Sequence, residues 1–360
     1  MDCKVKACVS SAVYRDLKEI VLSDTGWEKL KNKTVLITGA GGFIGSYLVM
    51  SLMLRNDEFN DNIKITGLVR NRDKTETKLG KLSERSDLEL CVQDVASPIE
   101  ASGADYIIHA ASQASNIQFE TDPVGTINAN LLGTANVLEF ARKKNNTIST
   151  LLVSSLKVYG AIRNGKEKIC EDDIGYIDFT SYKSCYATGK RAAETLAASY
   201  NKEYGLSVKI ARPSYIFGAS SLDDDRVWAQ FIANVVRGED ILLKSNGAAY
   251  RSFCYVSDTV TALLYILLKG EDAVPYNISY EKSDVTIRGF AKAACEAFPE
   301  RKISLSFLNP EDEKEPELFA SPLSPTPEIL DNQRILSLGW CPKVDLTEGI
   351  KRSVEILVQN

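Results

Sequence analysis

Histidine is almost missing from this chain: His109 is the only one in 360 residues. A Ser-His-Asp triad or a histidine-rich metal centre would have to be built on that one side chain, which sets histidine-based hydrolysis aside. Cysteine occurs eight times but never as C-x-x-C. Neither a zinc site nor a disulfide framework is therefore expected, and the thiols suit a reducing cytoplasm. No apolar run approaches the roughly 20 residues that span a bilayer. The start, Met1-Asp-Cys-Lys-Val-Lys6, lacks the apolar core of a signal peptide. Positive charge is not in excess: 43 Lys and Arg against 48 Asp and Glu leave a net charge of −5, which argues against a nucleic-acid surface. What is present, 44% hydrophobic and 25% charged residues over 360 positions without repeats, fits one large α/β unit with an appended lobe.

The stretch that organises the rest runs from Lys33 to Gly45. A β-branched apolar run, Val35 to Ile37, reads as a buried strand, and a helical segment with Ile44, Leu48 and Leu52 follows. Between them Gly39, Gly42 and Gly45 are spaced G-x-x-G-x-x-G. Glycine allows the tight turn and the close backbone approach of a pyrophosphate, which the free N–H groups of the helix would then face. By itself the pattern also fits a plain strand-to-helix turn.

Further strands are expected at Ile63–Val69, Leu88–Val92, Tyr106–Ala110, Ser149–Ser154 and Ser207–Ala211. Long helices are expected at Val124–Lys143, with Ile127, Leu131, Leu132, Ala135 and Leu138 on one face, and at Ser181–Tyr204. Strands alternating with helices predict a doubly wound parallel sheet. Beyond Arg212 the pattern becomes irregular. It predicts a loop at Phe217–Ser221, a helix at Val227–Val236 and a short strand at Ile241–Lys244. A helix at Val256–Leu268, a last sheet strand at Tyr276–Ser279 and a helix at Val285–Phe298 follow. A long loop at Pro310–Pro327 and a closing helix at Leu346–Val358 complete the reading. Residues 1–30, with Val13, Leu17, Ile20 and Val21 at helical spacing, read as a helical extension packed on the core or on a partner.

Tyr186 and Lys190 are one helical turn apart and share a face. A free tyrosine, with a pKa of about 10, is a poor base, but a nearby ammonium favours the phenolate. Such a pair trades a proton with a hydroxyl or carbonyl while a nicotinamide trades the hydride. Alone, the spacing fits two surface residues equally well; its place after the fifth strand of a nucleotide-binding pattern favours chemistry. At that strand's end lies Ser154-Ser155-Leu156-Lys157-Val158-Tyr159-Gly160. A hydroxyl there reaches the ligand crevice or caps the strand.

In these motifs the chain resembles the NAD-dependent epimerase/dehydratase family of extended short-chain dehydrogenases/reductases, which modify nucleotide sugars. The resemblance runs from about Lys33 to the C-terminus. Beside the glycine turn and Tyr186-x-x-x-Lys190 it rests on Asp94-Val95, His109-Ala-Ala-Ser112, Asn130-Leu-Leu-Gly-Thr134, Val158-Tyr-Gly160, Arg251-Ser-Phe-Cys-Tyr-Val-Ser-Asp258 and Leu338-Gly-Trp340. The segment from Ser184 to Glu194 is most similar to the UDP-glucuronate decarboxylase branch.

The resemblance implies a Rossmann-type α/β fold with a smaller, discontinuous C-terminal substrate lobe. The cofactor domain would cover 31–214 and 253–280, and the lobe 215–252 and 281–360. It implies NAD or NADP held by Gly39, Gly42, Phe43, Ile44, Gly45, Arg70, Asp94, Val95, Ala110, Ala111, Ser112, Asn130, Tyr186, Lys190 and Pro213. Ser155, Tyr186 and Lys190 would be the catalytic set, with no metal. Ser112, Lys157, Tyr215, Arg226 and Arg251 would meet a nucleotide-diphosphate sugar. A homodimer through a four-helix bundle of the two long helices is implied, with no membrane partner.

Three departures from the family pattern bear on the reaction. Leu156 and Lys157 stand where dehydratases and decarboxylases carry an acid, Tyr215 stands in place of a substrate-contacting Asn, and the second strand ends in Arg70 rather than Asp. Arg70 would neutralise the 2′-phosphate of NADP or belong to a solvated basic turn. Lys157 would favour an anionic substrate if it turns inward, and do nothing if it turns outward. An epimerase needs only the Ser-Tyr-Lys set, and a reductase of a keto sugar adds exchangeable NADPH. A decarboxylase or 4,6-dehydratase would need another acid, and a non-catalytic NAD(P)-binding sensor has no use for the set.

Overall fold

The computed structural model describes residues 3–144, 146–162, 166–314 and 327–359. The chain opens with α1 (Val5–Cys8) and the amphipathic α2 (Ser11–Val21), whose N-cap Ser10 accepts the Val13 N–H. Strand β1 (Thr34–Thr38) runs through the glycine turn into α3 (Phe43–Phe59). Then come β2 (Lys64–Val69), α4 (Arg72–Leu79), β3 (Leu88–Val92) and β4 (Tyr106–His109). A short α5 (Asn116–Thr121) precedes the long α6 (Pro123–Lys144), and β5 (Ser149–Val153) leads to α7 (Cys185–Tyr204). The second half adds β6 (Val208–Pro213), β7 (Tyr215–Phe217), α8 (Val227–Arg237) and β8 (Ile241–Leu243). After β9 (Tyr250–Tyr255) come α9 (Val256–Lys269), β10 (Pro275–Ile278), β11 (Asp284–Thr286) and α10 (Ile287–Glu296). The chain ends with β12 (Leu305–Phe307), α11 (Gln333–Leu336) and α12 (Leu346–Gln359).

Seven strands form one parallel sheet in the order β10-β6-β5-β4-β1-β2-β3. Helices cover both faces, so Val35, Leu36, Ile37, Ile107, Ile108 and Leu151 are all buried. The strand order reverses between β1 and β4, and the crevice outside their C-terminal ends is where such sheets hold ligands. His109 ends β4 inside this wall. Its Nδ1 lies 2.8 Å from Thr38 Oγ1 and its Nε2 3.2 Å from Thr134 Oγ1. Burial, helped by the Lys190 charge, pulls its pKa down to about 3. The lone histidine is a neutral rivet between sheet and helix.

Above the C-terminal strand ends sits a smaller layer: β7 lies parallel to β9, β11 antiparallel to β9, and β8 pairs with β12. Here the sequence reading needs correcting. Phe217, expected in a loop, ends strand β7, and β9 had no expected element. Three-residue strands such as β7 carry too few positions to show a period, and their partners are distant in sequence. Helix α10 starts at Ile287 rather than Val285 because Asp284–Thr286 pairs with β9 as β11. Of the expected Pro310–Pro327 loop, Pro310–Glu313 is a 3₁₀ turn, and residues 315–326 lie outside those described.

Helix α6 also divides its apolar residues differently from the expected single face. Leu138 is buried against β5 and α7, Ala129, Val137 and Phe140 are buried in another cluster, and Leu132 is 45% exposed. Helices α6 and α7 pack side by side: Gly189 of α7 has no room for a side chain larger than hydrogen without pressing the Asn130 Cβ, 3.0 Å from where its Cβ would lie. At the N-terminus, Cys3 and Cys8 are joined by a disulfide, their Cα atoms 7.0 Å apart. This departs from the expectation of unpaired cysteines, because the turn of α1 brings together two residues with no C-x-x-C spacing. Among the described residues no helix is long and apolar enough to cross a membrane.

Candidate active site

The glycine turn forms one wall of the crevice. Gly39 sits at φ +73°, and a Cβ there would lie 2.9 Å from the Ala111 Cα. At Gly45 a Cβ would meet the Gly39 carbonyl oxygen at 2.1 Å, so only glycine lets α3 start this close to the strand. Lys78, from α4, donates from Nζ to the Gly42 carbonyl at 3.0 Å. Burial, with repulsion from Lys74 and Arg226, pulls its pKa down to about 8. Three cations thus crowd the N-terminus of α3, an arrangement that a pyrophosphate relieves. The residues present fit that group.

Two adjoining cavities open from this wall and share Gly39, Gly42 and Ser112. The one of about 220 Å³ is lined by Arg70, Lys74, Asp94, Val95 and Ala111. The other, about 310 Å³, is lined by Phe43, Ile44, Gly45, Ala110, Ser155, Lys157, Tyr186, Lys190, Pro213, Tyr215, Arg226 and Arg251. Of the cofactor positions named from the sequence, Asn130 alone lines neither. It is buried behind Ser112, whose hydroxyl donates to Asn130 Oδ1 at 2.8 Å, while Asn130 Nδ2 donates to the Thr126 carbonyl at 2.8 Å. It therefore orients Ser112 rather than facing the crevice.

The paired serines at the end of β5 divide. Ser154 Oγ donates to Glu194 Oε1 at 2.5 Å, and Glu194 also holds Arg212 at 2.6 Å. Ser154 is thus part of the frame. Ser155 turns the other way: its Oγ accepts the Lys157 N–H at 3.2 Å, and with Ser112 it lines the same cavity as Tyr186. Burial raises the Tyr186 pKa above its ordinary value, and Ser155, Lys157 and Ser112 work against that shift. Lys190 stands beside the same ring. Its Nζ donates to the Val153 carbonyl at 2.7 Å and lies 5.9 Å from the Tyr186 ring centre. Burial pulls its own pKa down to about 8, with Glu194 opposing. Both lysines thus stand near the Tyr186 ring: Lys190 with its amine tied to the strand end, and Lys157 as the cation whose charge favours the phenolate. At neutral pH Tyr186 holds its proton.

The substrate side differs most from the sequence reading. Lys157 turns inward but is not a free positive charge: its Nζ donates to Tyr215 Oη at 2.8 Å and to Glu328 Oε1. Arg226 is held by Asp224, Nη2 to Oδ2 at 2.5 Å, and lies over the Trp228 ring at 4.6 Å. Arg251 lies 4.5 Å over the Tyr215 ring. Two residues were missed. Phe119, from α5, stacks on Tyr186 with ring centres 4.9 Å apart. Glu328 reaches Lys157 from 171 positions along the chain. No spacing in the sequence signals either contact.

Residues 35–279 match the family described as "NAD dependent epimerase/dehydratase family". UDP-glucuronic acid decarboxylase 5 from Arabidopsis thaliana is 35% identical over 323 residues, covering 89% of this chain and 87% of that protein. UDP-glucuronic acid decarboxylase 1 from Danio rerio is 32% identical over 326 residues, 90% of this chain and 72% of that protein. The fold is similar to that of a UDP-glucose 4-epimerase solved with UDP-glucose from Thermotoga maritima: TM-score 0.71, 24% identity, 91% of this chain and 99% of that one. It is also similar to a dTDP-glucose 4,6-dehydratase from Bacillus anthracis in complex with NAD, with TM-score 0.72, 18% identity and coverages of 91% and 97%.

Proposed function

The chain belongs to the NAD dependent epimerase/dehydratase family, and on that premise we propose that it acts on a nucleotide-diphosphate sugar by hydride transfer at one sugar carbon, in the manner of an epimerase. The observation that carries this reading is one cavity at the strand ends lined by Ser112, Ser155, Tyr186 and Lys190, with Lys190 Nζ 5.9 Å from the Tyr186 ring centre. Gly39, Gly42 and Lys78 would hold the pyrophosphate of NAD, and Asp94 and Val95 its adenine, and the bound dinucleotide supplies the hydride acceptor and donor. Tyr186 exchanges a proton with the reacting sugar oxygen, and Ser155 bonds that same oxygen. Lys190, its pKa lowered to about 8, stays mostly charged at neutral pH and keeps a cation beside them. In this reading 31–214 and 253–280 serve the cofactor, while 215–252 and 281–360 serve the sugar nucleotide.

The names of the Arabidopsis thaliana and Danio rerio relatives support a second reading, UDP-glucuronate decarboxylation. Against it stand Leu156 and Lys157 in place of the acid. Purified protein incubated with UDP-, dTDP-, GDP- and CDP-sugars, with and without NADPH, separates these. An epimer without net cofactor use is the expected result. Conversion of UDP-glucuronate to UDP-xylose, or of dTDP-glucose to its 4-keto-6-deoxy product, should be negligible. Robust turnover of either would replace this proposal by the decarboxylase or dehydratase reading, and NADPH consumption would make the protein a reductase.

Arg70, just after β2, is exposed to solvent at the edge of the adenosine cavity, with Lys74 beside it. A guanidinium there favours a 2′-phosphate by charge-assisted contact. Tighter binding of NADP(H) than NAD(H), lost in Arg70→Ala, is the expected titration result, and equal or tighter NAD(H) binding by the unaltered protein refutes it. The exposed Leu132 and Val124 of α6 suit burial against a second copy, in a bundle of α6 and α7 from each chain. Light scattering should give twice the chain mass, and Leu132→Glu should halve it.

A further inference from the structure

Lys157 occupies the place where an acid would drive elimination or decarboxylation, yet its charge is already matched. Lys157, Tyr215 and Glu328 form a closed ring. Lys157 Nζ donates to Tyr215 Oη at 2.8 Å and to Glu328 Oε1, and Tyr215 Oη donates to Glu328 Oε2 at 2.6 Å. Arg251 Nε lies 3.5 Å from that same Oε2. Burial opposes both charges, but their mutual attraction prevails: Lys157 is held above its ordinary pKa and Glu328 below.

The backbone fixes Glu328 in place. Its N–H donates to the Tyr250 carbonyl at 3.1 Å, and its carbonyl accepts the Ser252 N–H at 2.9 Å. The next turn is tied as well, since the Leu330 N–H donates to Ser252 Oγ at 3.0 Å. Lys157, Tyr215 and Arg251 line the larger cavity and Glu328 stands behind them. Ser214 lines the same cavity, is 7% exposed, and its Oγ has no partner among the described residues. Among the described residues, this end of the cleft offers hydroxyl partners and no unmatched cation beyond the single excess positive charge beside Arg251.

We propose that Glu328 is a positioning residue that cancels the charge of Lys157, so that the cleft takes a neutral glycosyl group in preference to a uronate. The inference rests on the nucleotide-sugar reading above. With Arg251 left for the diphosphate, a sugar carboxylate entering near Lys157 meets a cation already neutralised, and Glu328 repels it.

The test is equilibrium binding of UDP-glucose, UDP-glucuronate and UDP, measured by calorimetry with NAD present. The proteins compared are the unaltered chain, Glu328→Gln, Lys157→Met and the double variant. The unaltered protein should bind UDP-glucose more tightly than UDP-glucuronate. Glu328→Gln, nearly isosteric, should shift that ratio toward UDP-glucuronate by roughly tenfold or more. Lys157→Met should shift it the other way, and the double variant should return near the starting ratio. A merely structural Glu328 would weaken both sugars alike. An unmoved ratio in Glu328→Gln, or an initial preference for UDP-glucuronate, overturns the inference while the nucleotide-sugar reading stands. If none of the three ligands binds, that reading falls and takes the inference with it. Should Glu328→Gln fail to fold, an unmoved ratio in Lys157→Met is the overturning result.

Discussion

Replacing Tyr186 by phenylalanine is expected to lower turnover by roughly 10² to 10⁴-fold, the range that a general acid–base group supplies. The substitution removes one oxygen and leaves the ring. That ring stacks on Phe119 with centres 4.9 Å apart, so the packing that seats it survives. Ser155 and Ser112, lining the same cavity, keep their other contacts, and water takes the place of the lost hydroxyl. NAD affinity and the unfolding midpoint should therefore stay near those of the unaltered protein. Single-turnover measurement with the substrate found in the sugar panel checks this, and near-normal turnover would remove Tyr186 from the chemistry. Ser155→Ala should fall in the same direction by less, because it removes a hydrogen bond to the reacting oxygen and no proton.

Asp16→Ala is expected to destabilise the fold by about 3 kcal/mol, the scale for breaking a buried charge network. Asp16 is fully buried in α2. It accepts from Tyr255 Oη at 2.8 Å, from Tyr47 Oη at 3.3 Å and from Arg352 Nη1 at 2.9 Å. One carboxylate thus joins the N-terminal extension to α3, to the end of β9 and to α12. Arg352 keeps Glu19 at 2.7 Å and Glu348 at 2.7 Å, which places the loss at the low end of its range. Burial holds the Asp16 pKa above its ordinary value, with Tyr255 and Arg352 opposing. Loss of its charge therefore costs less than loss of its acceptor oxygens, and Asp16→Asn should be the milder change. Urea unfolding followed by circular dichroism measures both. An Asp16→Ala midpoint equal to that of the unaltered chain would show the network to be dispensable.

Features whose cause is local can be read from the amino-acid sequence alone. The glycine turn is legible because Gly39 and Gly45 stand within six residues and each is demanded by the chain's own backbone. The seven-stranded sheet is legible because buried parallel strands read as short β-branched runs between amphipathic helices. Tyr186 and Lys190 share a face because a helical turn fixes it.

Tertiary structure decided what depends on contacts between distant positions. It tied Lys190 to the Val153 carbonyl, bound Lys157 to Tyr215 and Glu328, and laid Phe119 on the Tyr186 ring. It turned Leu132 of α6 outward and Leu138 inward. It carried Glu328 across 171 positions to neutralise Lys157, which turns a cation that would have called for an anionic sugar into half of a matched pair. Spacing along a chain encodes which residues share a face of one element; which faces then meet is set by packing many elements at once, and the charge felt at a site is the sum over all that arrive there.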